Sequence, residues 1–174
     1  TEGNPRSPQT TVYDGSPKGN LSGELATNGT FDTTVDGWVI EPSTDSTATW
    51  NSGVLDLRRD GSGSAGKKVA TQEVTGLTIG HRYRLSADVT AVSNKASIDL
   101  ATTSTGSTTL STVQALADLT AVGYMEEDVI ATATTLYICL GVRDASPATV
   151  SFDNVSLREI GVGNHGTTTF YGDE

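Results

Sequence analysis

Short β-prone runs separated by turn formers recur from residue 38 to residue 158, and this cadence restricts the fold more than any other feature of the chain. The runs cover residues 38–40, 47–50, 54–58, 67–74, 81–92, 95–101, 107–114, 124–131, 135–142 and 149–158. Between them stand turn clusters such as Glu41-Pro42-Ser43, Asn51-Ser52-Gly53, Ser104-Thr105-Gly106 and Asp144-Ala145-Ser146-Pro147. Gly and Asn supply positive φ and Pro a fixed φ, which tight turns need. Strands this short and this regularly spaced fold as a β-sandwich or barrel. One stretch stays ambiguous. Val113, Leu116, Ala117 and Leu119 fit either a short helical turn or a strand followed by a loop, because period alone does not resolve short apolar runs.

Individual runs show which face is buried. From His81 to Val89, the side chains Tyr83, Leu85, Ala87 and Val89 alternate with Arg82, Arg84, Ser86 and Asp88, so the first set faces inward. Phe152, Val155 and Leu157 mark one face of a late strand, with a slip at Asp153-Asn154. The lead-in from Val74 to Gly80 reads as a loop with two apolar anchors, Leu77 and Ile79, that crosses from one sheet to the other. Phe31, Trp38, Tyr83, Tyr137 and Phe152 fall at expected core positions.

Composition bounds the class. The chain has 174 residues, enough for one domain with a sizeable core. Its formal net charge of −10 argues against a nucleic-acid partner, since phosphate binding needs a basic face. No stretch approaches the ~20 apolar residues of a membrane span, so no membrane is expected. The single cysteine, Cys139, lies in the apolar run Leu136-Tyr137-Ile138-Cys139-Leu140 and reads as a buried thiol. It allows neither an intrachain disulfide nor a multi-cysteine zinc site. No signal peptide is visible at Thr1; a trimmed Met or a removed leader would look the same, which leaves the compartment open.

Three regions are expected: an extended arm over 1–23, a β-sandwich over 24–160 and a second arm over 161–174. The first arm is rich in Pro, Gly, Ser and Asn, and the second holds Gly161, Gly163, Gly166 and Gly172. Thr10-Thr11-Val12-Tyr13-Asp14-Gly15 echoes Thr168-Thr169-Phe170-Tyr171-Gly172-Asp173. Val12, Tyr13, Phe170 and Tyr171 are the apolar anchors by which such arms would add as strands to a neighbouring subunit or to their own domain.

Three motifs in order carry a family resemblance. They are Asn28-Gly29-Thr30-Phe31-Asp32 with Gly37-Trp38, then Val74-Thr75-Gly76-Leu77-Thr78-Ile79-Gly80-His81-Arg82-Tyr83, then Phe152-Asp153-Asn154-Val155-Ser156-Leu157. Over roughly residues 25–160 the chain resembles the family-4/9-type carbohydrate-binding jelly roll, which implies an all-β jelly-roll β-sandwich. The segment from His165 to Glu174 resembles tails that adjoin this domain in bacteriophage virion proteins. That likeness implies a non-enzymatic virion component: a capsid decoration or cement protein, held through its arms on the major capsid protein or other virion proteins as a homo-oligomer. The alternative is a carbohydrate-binding module of a tail fibre or of a secreted glycoside hydrolase, with a cell-surface glycan as partner. In the resembling modules a structural Ca²⁺ sits where the first and last strands meet, which implies Asp32 and Asp153 as ligands; turn hydrogen bonds or pairing with Arg158 or a lysine are the other reading of those aspartates.

Other chemistry finds little footing. Gly61-Ser62-Gly63-Ser64-Ala65-Gly66-Lys67-Lys68 approaches a phosphate-binding loop, but Lys68 replaces the magnesium-binding hydroxyl and a strand follows instead of a helix; a flexible hairpin loop explains the glycines. His81 and His165 belong to no nucleophile–base pattern. Glu126-Glu127-Asp128 reads as a solvated acidic edge, because neighbours on a strand face opposite ways. Sugar binding uses exposed aromatic faces, and aromatics make up only 6% of the chain. Trp50 and Tyr124 are the carbohydrate-platform candidates outside the expected core.

Overall fold

Among the described residues the alternating runs become strands, and no helix stands beside them. The computed structural model describes residues 21–40, 46–61, 68–104, 113–143 and 147–161. Their regular elements are β1 (Val39–Ile40), β2 (Ser46–Asn51), β3 (Val54–Arg59), β4 (Lys68–Thr75), β5 (Arg82–Val92), β6 (Ala96–Ala101), β7 (Val113–Leu119), β8 (Gly123–Ile130), β9 (Thr135–Val142) and β10 (Ala148–Glu159). They form two five-stranded antiparallel sheets. Sheet one runs β1-β4-β9-β6-β7 and sheet two β2-β3-β10-β5-β8. Only β2–β3 and β6–β7 join neighbours within a sheet; every other connection crosses between sheets. The β2–β3 turn has positive φ at both Ser52 and Gly53, the geometry that matches strand twist in a two-residue hairpin.

The core lies between the sheets. Leu55, Leu57, Leu85, Val150, Phe152 and Leu157 of sheet two face Ala70, Ile98, Leu100, Leu136, Ile138 and Leu140 of sheet one, and all are buried. Tyr83 is buried too, and its hydroxyl accepts the Thr78 N–H at 2.8 Å, which ties the crossover from β4 to β5 down beside Leu77.

β10 is the pivot of sheet two. Its first half pairs with β3, from Ala148↔Arg59 to Phe152↔Leu55, while β5 flanks it along most of its length. The ladder to β5 slips between Asp153 and Ser156, so Phe152 and Val155, three residues apart, both face the core. Beyond that bulge the chain's own residues 21–25 take over the place of β3. Leu21 bridges Ile160, Ser22 N donates to Glu159 O at 2.9 Å, and Leu25 N donates to Leu157 O at 3.0 Å. The Glu24 carboxylate accepts the Ser156 hydroxyl (2.6 Å), the Leu157 N–H (2.8 Å) and Arg158 Nε (2.9 Å). Partial burial pushes its pKa up, but the hydrogen bonds from Ser156, Arg158, Leu157 and Ala26 outweigh this and hold it below the ordinary glutamate value.

The following loop is equally fastened. Val155 N donates to Gly29 O at 2.9 Å. Gln72, buried in β4, receives Thr27 N (2.7 Å) and donates to Thr27 O (2.7 Å) and Gly37 O (3.1 Å). Trp38 Nε1 donates to Asn28 O at 3.2 Å and Trp50 Nε1 to Phe31 O at 2.6 Å.

One ambiguity is resolved and two expectations change. Residues 113–119 form a strand, because pairing with β6 (Ile98↔Ala117) decides what period could not. β3 and β4 lie in different sheets, and residues 62–67 between them, expected as a hairpin loop, lie outside the described residues. Ile79 is exposed, leaving Leu77 as the one anchor of its loop. Tyr137 lies on the outer side of sheet one, half-buried, because its neighbours Leu136 and Ile138 take the inward positions. Val12, Tyr13, Phe170 and Tyr171 lie outside the described residues.

Two outcomes follow from the β10 seam. A Cβ on Gly29 would sit 1.9 Å from the Val155 carbonyl oxygen, so Gly29→Ala should lower the unfolding free energy by about 2–4 kcal/mol in urea titrations. Glu24 has a depressed folded-state pKa, so its contribution is present above the ordinary glutamate value of about 4.3 and is lost as pH falls below it. Between about pH 5 and pH 3, wild type should therefore lose more stability than Glu24→Gln in parallel denaturation series.

Candidate functional site

The sandwich offers two outer faces, and their chemistry differs. On sheet two the outward side chains are long, charged and paired with one another. Arg84 donates from Nε to Asp128 Oδ1 at 2.7 Å and from Nη2 to Asp128 Oδ2 at 3.0 Å, with Glu126 3.7 Å from Nη1. The Asp128 carboxyl is held below its ordinary value, first by the Arg84 hydrogen bonds and further by the charges of Arg84 and Arg82, against partial desolvation. Ser151 donates to Asp56, Asn154 Nδ2 donates to Asp88 Oδ2 at 2.9 Å, and Arg158 holds Glu24. The acidic run of β8 is thus a paired edge, with Glu126 and Asp128 flanking Arg84.

On sheet one the outward positions at the centre are small. The rows follow from the register: Thr71↔Cys139↔Asp99, Glu73↔Tyr137↔Ala101, and Gly141↔Ser97. Thr71, Ser97, Asp99, Ala101 and Cys139 all point to this outer side, yet none is more than 4% exposed. An outward position on a sheet is normally wet, so this floor is sheltered. Tyr137 stands half-buried beside it, and Glu73 is exposed next to Tyr137. At one end Asp118 is met by Arg143 (3.4 Å) and Lys95 (3.8 Å). What reaches solvent here is the Tyr137 ring with the Glu73 carboxylate beside it, a pairing that suits a polar, ring-shaped ligand, whose C–H groups pack on the aromatic and whose hydroxyls meet the carboxylate.

No protein-family model matches the chain, and no curated protein does. Solved structures do. A family-4 carbohydrate-binding module superposes with a TM-score of 0.57 at 14% identity, over 76% of this chain and 98% of its own. The fold is that of carbohydrate-binding modules. The same sandwich occurs inside longer chains. In the Clostridium thermocellum xylanase 10B fragment that joins a family-22 module to its catalytic module, solved with xylohexaose, the TM-score is 0.51 at 21% identity, over 78% of this chain and 28% of that one. In the enzymatically active domain of bacteriophage CBA120 tailspike protein 4, the values are 0.52 and 14%, over 79% of this chain and 21% of that one. At these identities the likeness is one of fold.

The sandwich does not bring the two expected platforms together. Trp50 and Tyr124 are both exposed, at 43% and 56%, but they sit on the opposite edge strands of sheet two. Tyr124 points outward opposite Asp88. Trp50 shares the inward side with Ala48 and Leu55, and its indole N–H is committed to Phe31 O. The two are separated by four strand spacings, roughly 19 Å. The floor residues Thr71, Ser97 and Asp99, with Tyr137 and Glu73, were not singled out by sequence. The available signal was the polar alternation Ser97, Asp99 within Ile98, Leu100.

Asp32 accepts the Thr30 hydroxyl at 2.9 Å, and Asp153 accepts the Asn154 N–H at 2.7 Å. Among the described residues no group of three or more His, Cys, Asp or Glu side chains is arranged to hold a metal ion. Thermal unfolding tests calcium at this pair. An ion held by the folded chain makes EDTA lower the midpoint, and Asp153→Asn removes that difference; equal midpoints with and without EDTA discard the ion.

Proposed function

We propose that the chain is a non-catalytic carbohydrate-binding module whose glycan lies along the outer face of sheet one. The observation that carries this reading is the pairing of the half-buried Tyr137 with the exposed Glu73 on the outer face of sheet one, on a sandwich of the carbohydrate-binding-module type. Tyr137 stacks on a sugar ring, and the Glu73 carboxylate accepts from its hydroxyls. The exposed surface is strongly acidic, which favours neutral over anionic polysaccharides.

The leading expectation from the sequence, a capsid decoration or cement protein, finds no support in the fold or its likenesses, and the reading proposed here is the one that stood as its alternative. A module appended to a larger protein, such as a tail fibre or a secreted hydrolase, fits better, because the same sandwich forms a minor part of two longer chains. Calorimetry and affinity gels with xylan, mixed-linkage β-glucan, mannan and pullulan test the site. Tyr137→Ala should weaken the best binder about tenfold or more, equivalent to about 1.4 kcal/mol, without changing the unfolding midpoint. Full affinity in that variant, or no binding to any of the four, rejects the reading.

A further inference from the structure

We propose a second saccharide track on the opposite face of the sandwich, running across sheet two from Tyr124 to a cavity beside β10. It is independent of the sheet-one site and would make the module bivalent. Two separate features of the structure meet here. The first is the outward phenol ring of Tyr124, which is 56% exposed although it lies on the face of a sheet rather than in a loop. The second is a surface cavity of about 380 Å³ lined by Glu24, Asn28, Thr30, Asn154, Ser156 and Arg158 among others.

The register connects the two. Tyr124 on β8 lies directly opposite Asp88 on β5, and Asp88 lies opposite Asp153 on β10. The Asp88 carboxylate accepts Asn154 Nδ2 at 2.9 Å, and Asn154 is itself part of the cavity wall. The path from the ring to the cavity thus crosses two strand spacings, roughly 10 Å, about the reach of two linked pyranose rings. Along it the chemistry is that of sugar recognition: an aromatic face first, then a carboxylate and an amide, then a polar hollow. Asn154 has a positive φ of 50°, and the bulge that imposes it is what turns its side chain toward Asp88.

The charges specify the class of ligand. Asp88, Asp153, Glu126 and Glu24 surround the track, and Arg158 is already engaged by Glu24. A polyanion is repelled, so the ligand is a neutral oligosaccharide.

The test uses the full chain with xylohexaose, cellohexaose and mannohexaose in calorimetry, and with the parent polysaccharides in affinity gels. Tyr124→Ala changes an exposed side chain. Wild type should bind two oligosaccharides per chain, Tyr124→Ala one, Tyr124→Phe two, and Tyr124→Ala with Tyr137→Ala none. Loss of one site should also cut retention on polymeric ligand at least about tenfold, because avidity is lost. Unchanged stoichiometry and retention in Tyr124→Ala, or no saccharide with a Tyr124-dependent response, overturns the track. If Tyr137→Ala changes nothing while Tyr124→Ala abolishes binding, the sheet-one site fails and the track stands.

Discussion

One strand has to satisfy three neighbours, and the rest of the molecule is arranged around that demand. β10 runs through the middle of sheet two, pairing with β5 on one side and with β3 and then residues 21–25 on the other. An unbroken two-residue alternation could not do this and keep both Phe152 and Val155 inward. The bulge at Asp153-Asn154 absorbs one extra residue, resets the face and opens the gap into which the Gly29 carbonyl fits. The cost is local: Asn28, Phe31 and Asn154 all take positive φ, which is unfavourable for side-chain-bearing residues. It is offset by the hydrogen bonds of Gln72, Glu24 and the two indoles, which satisfy backbone groups that a buried loop would otherwise strand.

Much of this was readable beforehand, for physical reasons. Where one face of a strand is wet, as in β5, alternation marks it without ambiguity, and Tyr83, Leu85, Ala87 and Val89 are inward as expected. The slip at Asp153-Asn154 was visible because a bulge breaks a period of two. The candidate site on sheet one was harder to read. Ser97 and Asp99 mark an outer side of β6, but Leu136-Tyr137-Ile138-Cys139-Leu140 reads as one apolar run, so β9 announces none and Tyr137 passes for a core residue. Trp50 and Tyr124 were correctly placed outside the core, but no sequence pattern states that β2 and β8 are opposite edges of one sheet. That is a property of strand order.

The two outer faces differ in side-chain size. Sheet two carries charged residues that neutralise one another, as Arg84 does with Asp128 and Glu126, and charges on the edge strand β8 also discourage pairing with a stranger. Sheet one carries small, buried residues at its centre. A net charge of −10 spread over such a body favours solubility.

The order of the strands also bears on how the chain reaches this state. Eight of its ten strands are tied to partners remote in sequence, since only two connections are local hairpins. The strand at the centre of sheet two is the last of the described strands to be made, so β3 and β5 wait without the neighbour that joins them until residue 159 has emerged. So many non-local pairings make folding slow for a domain of this length.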